Sequence, residues 1–114
     1  MADDKRADDS VRLRKFIDVI VEEKRSFTLF RAAIADISLT GMRLISDQYL
    51  PKGARYTFTM KRAPFLTLVG EVRWVRAFER DTFQCGVVFA DVPDEGVSRL
   101  RSFLDIERSR VPTR

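Results

Sequence analysis

Histidine is absent from the 114 residues, and cysteine occurs once, at Cys85. The first absence removes the commonest general base and the commonest metal ligand. Together they exclude a Cys–His nucleophile pair and a tetrahedral zinc site, so no metal is expected. A single cysteine makes no intrachain disulfide, which fits a reducing, cytoplasmic setting. No Gly-rich phosphate loop precedes a Lys-Ser or Lys-Thr pair. No apolar run nears the roughly 20 residues of a membrane helix. Residues 1–10 are too polar for a secretion signal. The carboxylates fall mostly in tails and turns, where solvation accounts for them. A catalytic role is therefore not expected, and neither is insertion into a membrane.

The remaining composition is that of a folded domain: 45% hydrophobic and 33% charged residues, in a chain long enough for one core. The net charge is +4, and Arg outnumbers Lys. Arg presents a planar fork suited to phosphate or to stacking on a base, so the excess fits either an anionic partner or a solvated surface. Alternating apolar residues predict strands over 16–23, 27–35, 42–45, 56–60, 65–78 and 83–89. In the last of these Phe83, Cys85, Val87 and Phe89 form the inward face. Gly70 interrupts the long fifth strand, where a bulge or bend is expected. After Pro93 the period changes. Val97, Leu100 and Leu104, with Phe103 alongside, predict a helix that covers one open end or one flank of the sheet. Six antiparallel strands hide their edges economically by closing into a barrel. The expected organisation is a tail over 1–10, the domain over 11–106 and a second tail over 107–114.

Between the second and third runs lies Asp36-Ile37-Ser38-Leu39-Thr40-Gly41. Asp and Ser side chains bend a chain by accepting hydrogen bonds from nearby backbone N–H groups. Gly41 allows either φ > 0 or a close approach to the backbone. Six residues exceed what a minimal hairpin needs, which suggests a further role for the turn.

Asp36-x-Ser38-x-x-Gly41 after a strand, with Arg-rich sequence upstream, resembles the PilZ domain family. Gly70-Glu71-Val72-Arg73-Trp74-Val75 and Gly86-Val87-Val88-Phe89 look like that family's long fifth strand and its sixth, and a terminal helix follows. The likeness runs over roughly residues 12–106. It implies a six-stranded antiparallel β-barrel and a receptor for the bacterial second messenger cyclic di-GMP. The turn would contribute Asp36, Ser38 and Gly41. An Arg-x-x-x-Arg segment before the first strand would hold guanine faces and phosphates. This chain has Arg12-Leu13-Arg14-Lys15 there, with Ser10 four residues before Arg14. The candidate ligand residues are thus Arg12, Arg14, Lys15, Asp36, Ser38 and Gly41, joined by Arg43 and Trp74. Arg43 has plain surface as its alternative, and Trp74 the core or barrel rim. Arg76 and Arg80 have the four-residue spacing but flank the last hairpin turn, and are read as coincidence.

The expected function is a non-catalytic receptor or adaptor that passes the cyclic di-GMP level to an unidentified protein partner in the bacterial cytoplasm. The alternative is an adaptor in pilus, motility or envelope machinery that works through protein contacts without nucleotide. A single-stranded nucleic-acid binder ranks last, because that activity needs exposed aromatics and these mostly alternate into the core.

Overall fold

The computed structural model of the chain describes residues 17–23, 28–60 and 66–109. The strands are β1 (Ile17–Glu23), β2 (Thr28–Ile37), β3 (Gly41–Ser46), β4 (Arg55–Met60), β5 (Leu66–Ala77) and β6 (Phe83–Phe89). One helix follows, α1 (Asp94–Ser109). Every strand pairing is antiparallel, and the sheet closes in the order β1-β2-β3-β6-β5-β4. The expected six-stranded barrel with its terminal helix is the fold.

The alternation that defines the strands also fills the barrel. Val19 and Val21 on β1 face Met60 and Phe58 on β4, and all four are fully buried. Ile34 pairs with Leu44, and Leu44 with Cys85, carrying the same layer across β2, β3 and β6. Each large apolar side chain taken fully out of water contributes about 1.5–3 kcal/mol before the entropy cost of ordering. Leu50, in the loop after β3, joins this core. That loop turns at Gly53, whose φ of 91° suits glycine, and its N–H donates to the Val72 carbonyl at 2.7 Å.

Helix α1 buries Leu100, Phe103, Leu104 and Glu107, a stripe at i, i+3, i+4 and i+7. Asp94 and Glu95 lie in its first turn and Arg108 in its last, as the helix dipole favours. Val97 was expected on the buried stripe. It is exposed, and Glu107 closes the stripe at the other end. The helix therefore passes residue 106, where the domain was expected to end.

Gly70 is not a bulge. It keeps regular register, opposite Tyr56 on β4 and Phe89 on β6. A Cβ there would stand 2.5 Å from Val87 Cγ1 and 3.1 Å from Phe58 Cε2, so its small size serves core packing. The bulge on β5 lies at Arg73, between Val72 and Trp74, and a second lies at Ala35 on β2.

Candidate functional site

The two bulges decide which side chains reach the outer surface. An extra residue in one strand reverses the inward–outward alternation beyond it. On β2, Ile34 and Ile37 are both buried in the core, and Asp36 is turned to the outer face opposite Arg43. On β5, Val72 lies inside and Trp74 is placed on the outer face, paired with Gly86. Arg43 pairs in turn with Gly86. One rung across β2, β3, β6 and β5 thus reads Asp36, Arg43, Gly86, Trp74, with a bulge beside each end.

The side chains along this rung interact. Arg43 Nη2 lies 2.7 Å from Asp36 Oδ2, and Asp36 is only 3% exposed. Arg43 remains partly exposed, but its Nε is shut off from water and makes no hydrogen bond among the described residues. Trp74 is 39% exposed and lies against Gly86. A Cβ on Gly86 would stand 2.0 Å from the indole Nε1, so only glycine admits the ring there. The Arg76 guanidinium carbon is 5.1 Å from the centre of the Trp74 ring, within cation–π range.

The hairpin beside the rung is tighter than its sequence suggests. Asp36 and Ile37 belong to β2, so the connection to β3 is Ser38-Leu39-Thr40. Ser38 closes it from within. Its N–H donates to the Gly41 carbonyl at 2.8 Å, and its Oγ accepts from the Thr40 N–H at 3.3 Å. Ser38 is fully buried, so its hydroxyl shapes the turn. Gly41 does not adopt a positive φ among the described residues. Of the two alternatives, close approach is the one found, and the neighbour is the protein's own β6. A Cβ on Gly41 would stand 2.3 Å from the Val87 carbonyl oxygen. The Phe89 N–H also donates to the Thr40 carbonyl at 3.0 Å, drawing the hairpin onto β6.

Asp36, Arg43 and Trp74 are therefore gathered on one rung, with Ser38 and Gly41 in the adjoining hairpin. Arg12, Arg14 and Lys15 lie outside the described residues. Gln84 is not singled out in the sequence, Gly86 is named there only as part of the sixth strand, and Arg76 is set aside there as coincidence. Glycine inside a strand is the signal that could have marked Gly86 as a point of close approach. Among the described residues no group of three His, Cys, Asp or Glu side chains is placed to hold a metal. A hollow of about 520 Å³ lies elsewhere, lined by Glu22, Glu23, Arg55, Tyr56 and Val69 among others. Its wall carries Glu22 and Glu23 beside Arg55, whereas on the rung Arg43 is matched by Asp36 and Trp74 offers a ring face.

The PilZ domain of YcgR from Escherichia coli, solved with c-di-GMP, superposes with a TM-score of 0.71 at 12% identity, covering 86% of this chain and 88% of that one. MrkH from K. pneumonia gives a TM-score of 0.73 at 19% identity, covering 89% of this chain and 49% of that one. The Bacillus subtilis inhibitor of motility MotI/DgrA gives 0.69 at 14% identity, covering 89% and 52%. The chain thus spans about half the length of MotI and of MrkH. No curated protein matches the sequence. At these identities the superpositions speak for a shared fold. The sequence itself carries the membership, since the family model described as PilZ domain matches residues 5–105: the chain belongs to the PilZ domain family.

Proposed function

We propose that this protein is a receptor for cyclic di-GMP that acts as an adaptor toward a protein partner in the bacterial cytoplasm. The family supports the receptor class. The observation that carries the reading to this chain is the rung itself. Two bulges turn Asp36 and Trp74 outward on either side of Arg43 and Gly86. The ligand is a dianion with two flat purines. Arg43 offers a fork, Trp74 a ring face, and Asp36 an acceptor for guanine N–H groups once Arg43 rearranges. Ser38 and Gly41 hold the hairpin that sets their spacing. Arg12, Arg14 and Lys15 would add cationic donors for the phosphates. Among the described residues no helix is long and apolar enough to cross a membrane.

A second reading rests on Ser10, which stands four residues before Arg14 where the family pattern places an arginine. A weakened site there favours an adaptor that uses protein contacts alone. Titration with cyclic di-GMP, and separately with a short oligonucleotide, distinguishes the readings. The receptor reading expects saturable binding of the dinucleotide and none of the oligonucleotide. Arg14→Ala and Asp36→Ala should each weaken binding roughly 10- to 100-fold, the worth of a charge-assisted hydrogen bond. Added salt should weaken it too. Unchanged affinity in both variants would mean that the site is elsewhere.

A further inference from the structure

Five arginines stand on the described barrel strands: Arg31, Arg43, Arg55, Arg73 and Arg76. Four face a carboxylate. Arg31 meets Asp18, Arg43 meets Asp36, Arg55 meets Glu71 and Asp91, and Arg73 approaches Glu71. Arg76 makes no ion pair among the described residues. Its Nε and Nη2 both donate to Gln84 Oε1, at 3.0 and 2.8 Å. Gln84 is 4% exposed, so the tether is itself fixed by packing. The other constraint is the Trp74 ring at 5.1 Å. A neutral amide and an aromatic ring orient the guanidinium without cancelling its charge.

Its place on the sheet gives that charge a use. Ile45, Gln84 and Arg76 form the outward rung next to Arg43, Gly86 and Trp74. Arg43 is already matched by Asp36, so Arg76 brings an uncompensated cation to this face. Nη1 is not engaged by Gln84, and Arg76 is exposed. We infer that Arg76 is a ligand-binding residue of the cyclic dinucleotide site and that its guanidinium takes a phosphodiester oxygen. Gln84 is the positioning residue that aims it. The four-residue spacing to Arg80 plays no part, since Arg80 lies in the β5–β6 turn with φ 53°.

The inference rests on the receptor reading, and the experiment separates the two. Wild type, Arg76→Gln, Arg76→Lys and Asp36→Ala are titrated with cyclic di-GMP by calorimetry, and each is melted without ligand. Arg76→Gln should weaken binding roughly 10- to 100-fold, because a charged donor to a phosphate oxygen is lost. Its melting point should hold, because the side chain is exposed. Arg76→Lys should recover part of the affinity, since a point charge still serves a phosphate. If wild type binds, Asp36→Ala weakens and Arg76→Gln matches wild type, the role of Arg76 is overturned and the receptor reading stands. Arg76→Lys as weak as Arg76→Gln overturns the phosphate contact. Affinity and melting point lost together in both Arg76 variants would overturn the contact in favour of a structural role. No binding by wild type at millimolar ligand overturns both.

Discussion

Gly41 and Gly86 stand on neighbouring strands of one face, and replacing each by alanine should give opposite results. At Gly41 the added Cβ would lie 2.3 Å from a backbone atom, the Val87 carbonyl oxygen. Side-chain Cβ atoms essentially never sit closer than 3.0 Å to such an atom, so β3 and β6 must part by about 0.7 Å (3.0 minus 2.3). Neither backbone can rotate away, because Gly41 pairs with Val88 and the Phe89 N–H is bonded to Thr40. Forcing a methyl into such a contact costs about 1–3 kcal/mol. The loss of unfolded-state entropy on replacing glycine returns about 0.4–1 kcal/mol. The net is a destabilisation of about 1–2 kcal/mol, or a melting point lower by about 4–8 °C for a domain of this size. At Gly86 the clash is closer, 2.0 Å, but it is with the indole of Trp74. That side chain is 39% exposed and can swing into solvent. Gly86→Ala should therefore melt within about 2 °C of wild type, as a surface change does. It should instead move the emission of Trp74, the only tryptophan in the chain. Thermal melts by far-UV circular dichroism and emission spectra of the folded proteins test the pair. A Gly41→Ala protein as stable as wild type, or a Gly86→Ala protein with unaltered emission, would refute the packing account.

Leu100 is 1% exposed and opens the buried α1 stripe, so Leu100→Ala should cost about 2–5 kcal/mol in urea denaturation, and less than about 0.5 kcal/mol would mean that the helix is not docked. Burial pushes the Cys85 thiol up from 9.0 to about 11, opposed in part by a hydrogen bond from the Leu50 backbone N–H, and burial also raises Tyr56. The folded thiol thus keeps its proton where the unfolded one gives it up. Stability should be level below about pH 9 and fall as the pH rises toward about 11, and Cys85→Ala should remove part of that fall. Denaturation midpoints compared at neutral pH and at about pH 10 would test this, with no difference in slope between the two proteins counting against it.

The fold was legible because each strand carries a simple two-residue alternation. Val19 and Val21, Phe58 and Met60, and Cys85 and Val87 are spaced as a half-buried strand requires, and they are buried. The helix was legible from Leu100, Phe103 and Leu104. Its far end was not, because a buried Glu107 does not look like core in a sequence. The turn is hard to read for a related reason. Asp36 reads as a turn residue by its chemistry, yet it belongs to β2, and its partner Arg43 comes from the facing strand. Residue type alone does not say which side chains a sheet will bring opposite one another.

What places the site is a break in the alternation, and that break is written in the chain. Ile34-Ala35-Asp36-Ile37 and Val72-Arg73-Trp74-Val75 share one pattern, two apolar residues three apart with a pair between them. A regular strand would put the members of each pair on opposite faces and leave one of them outside. The barrel keeps the pattern by inserting Ala35 and Arg73 as bulges, so Ile34 and Ile37 both pack in the core. Val72 is fully buried, and Val75 packs against the core as well. Without the first bulge, strict alternation from Ile34 would point Asp36 inward. An ionised carboxylate in an apolar interior is too costly to be kept. The demands of the core therefore fix the outward placement of Asp36 and Trp74. The same two insertions put both residues on the rung that carries Arg43, so one irregularity per strand serves packing and the candidate site together.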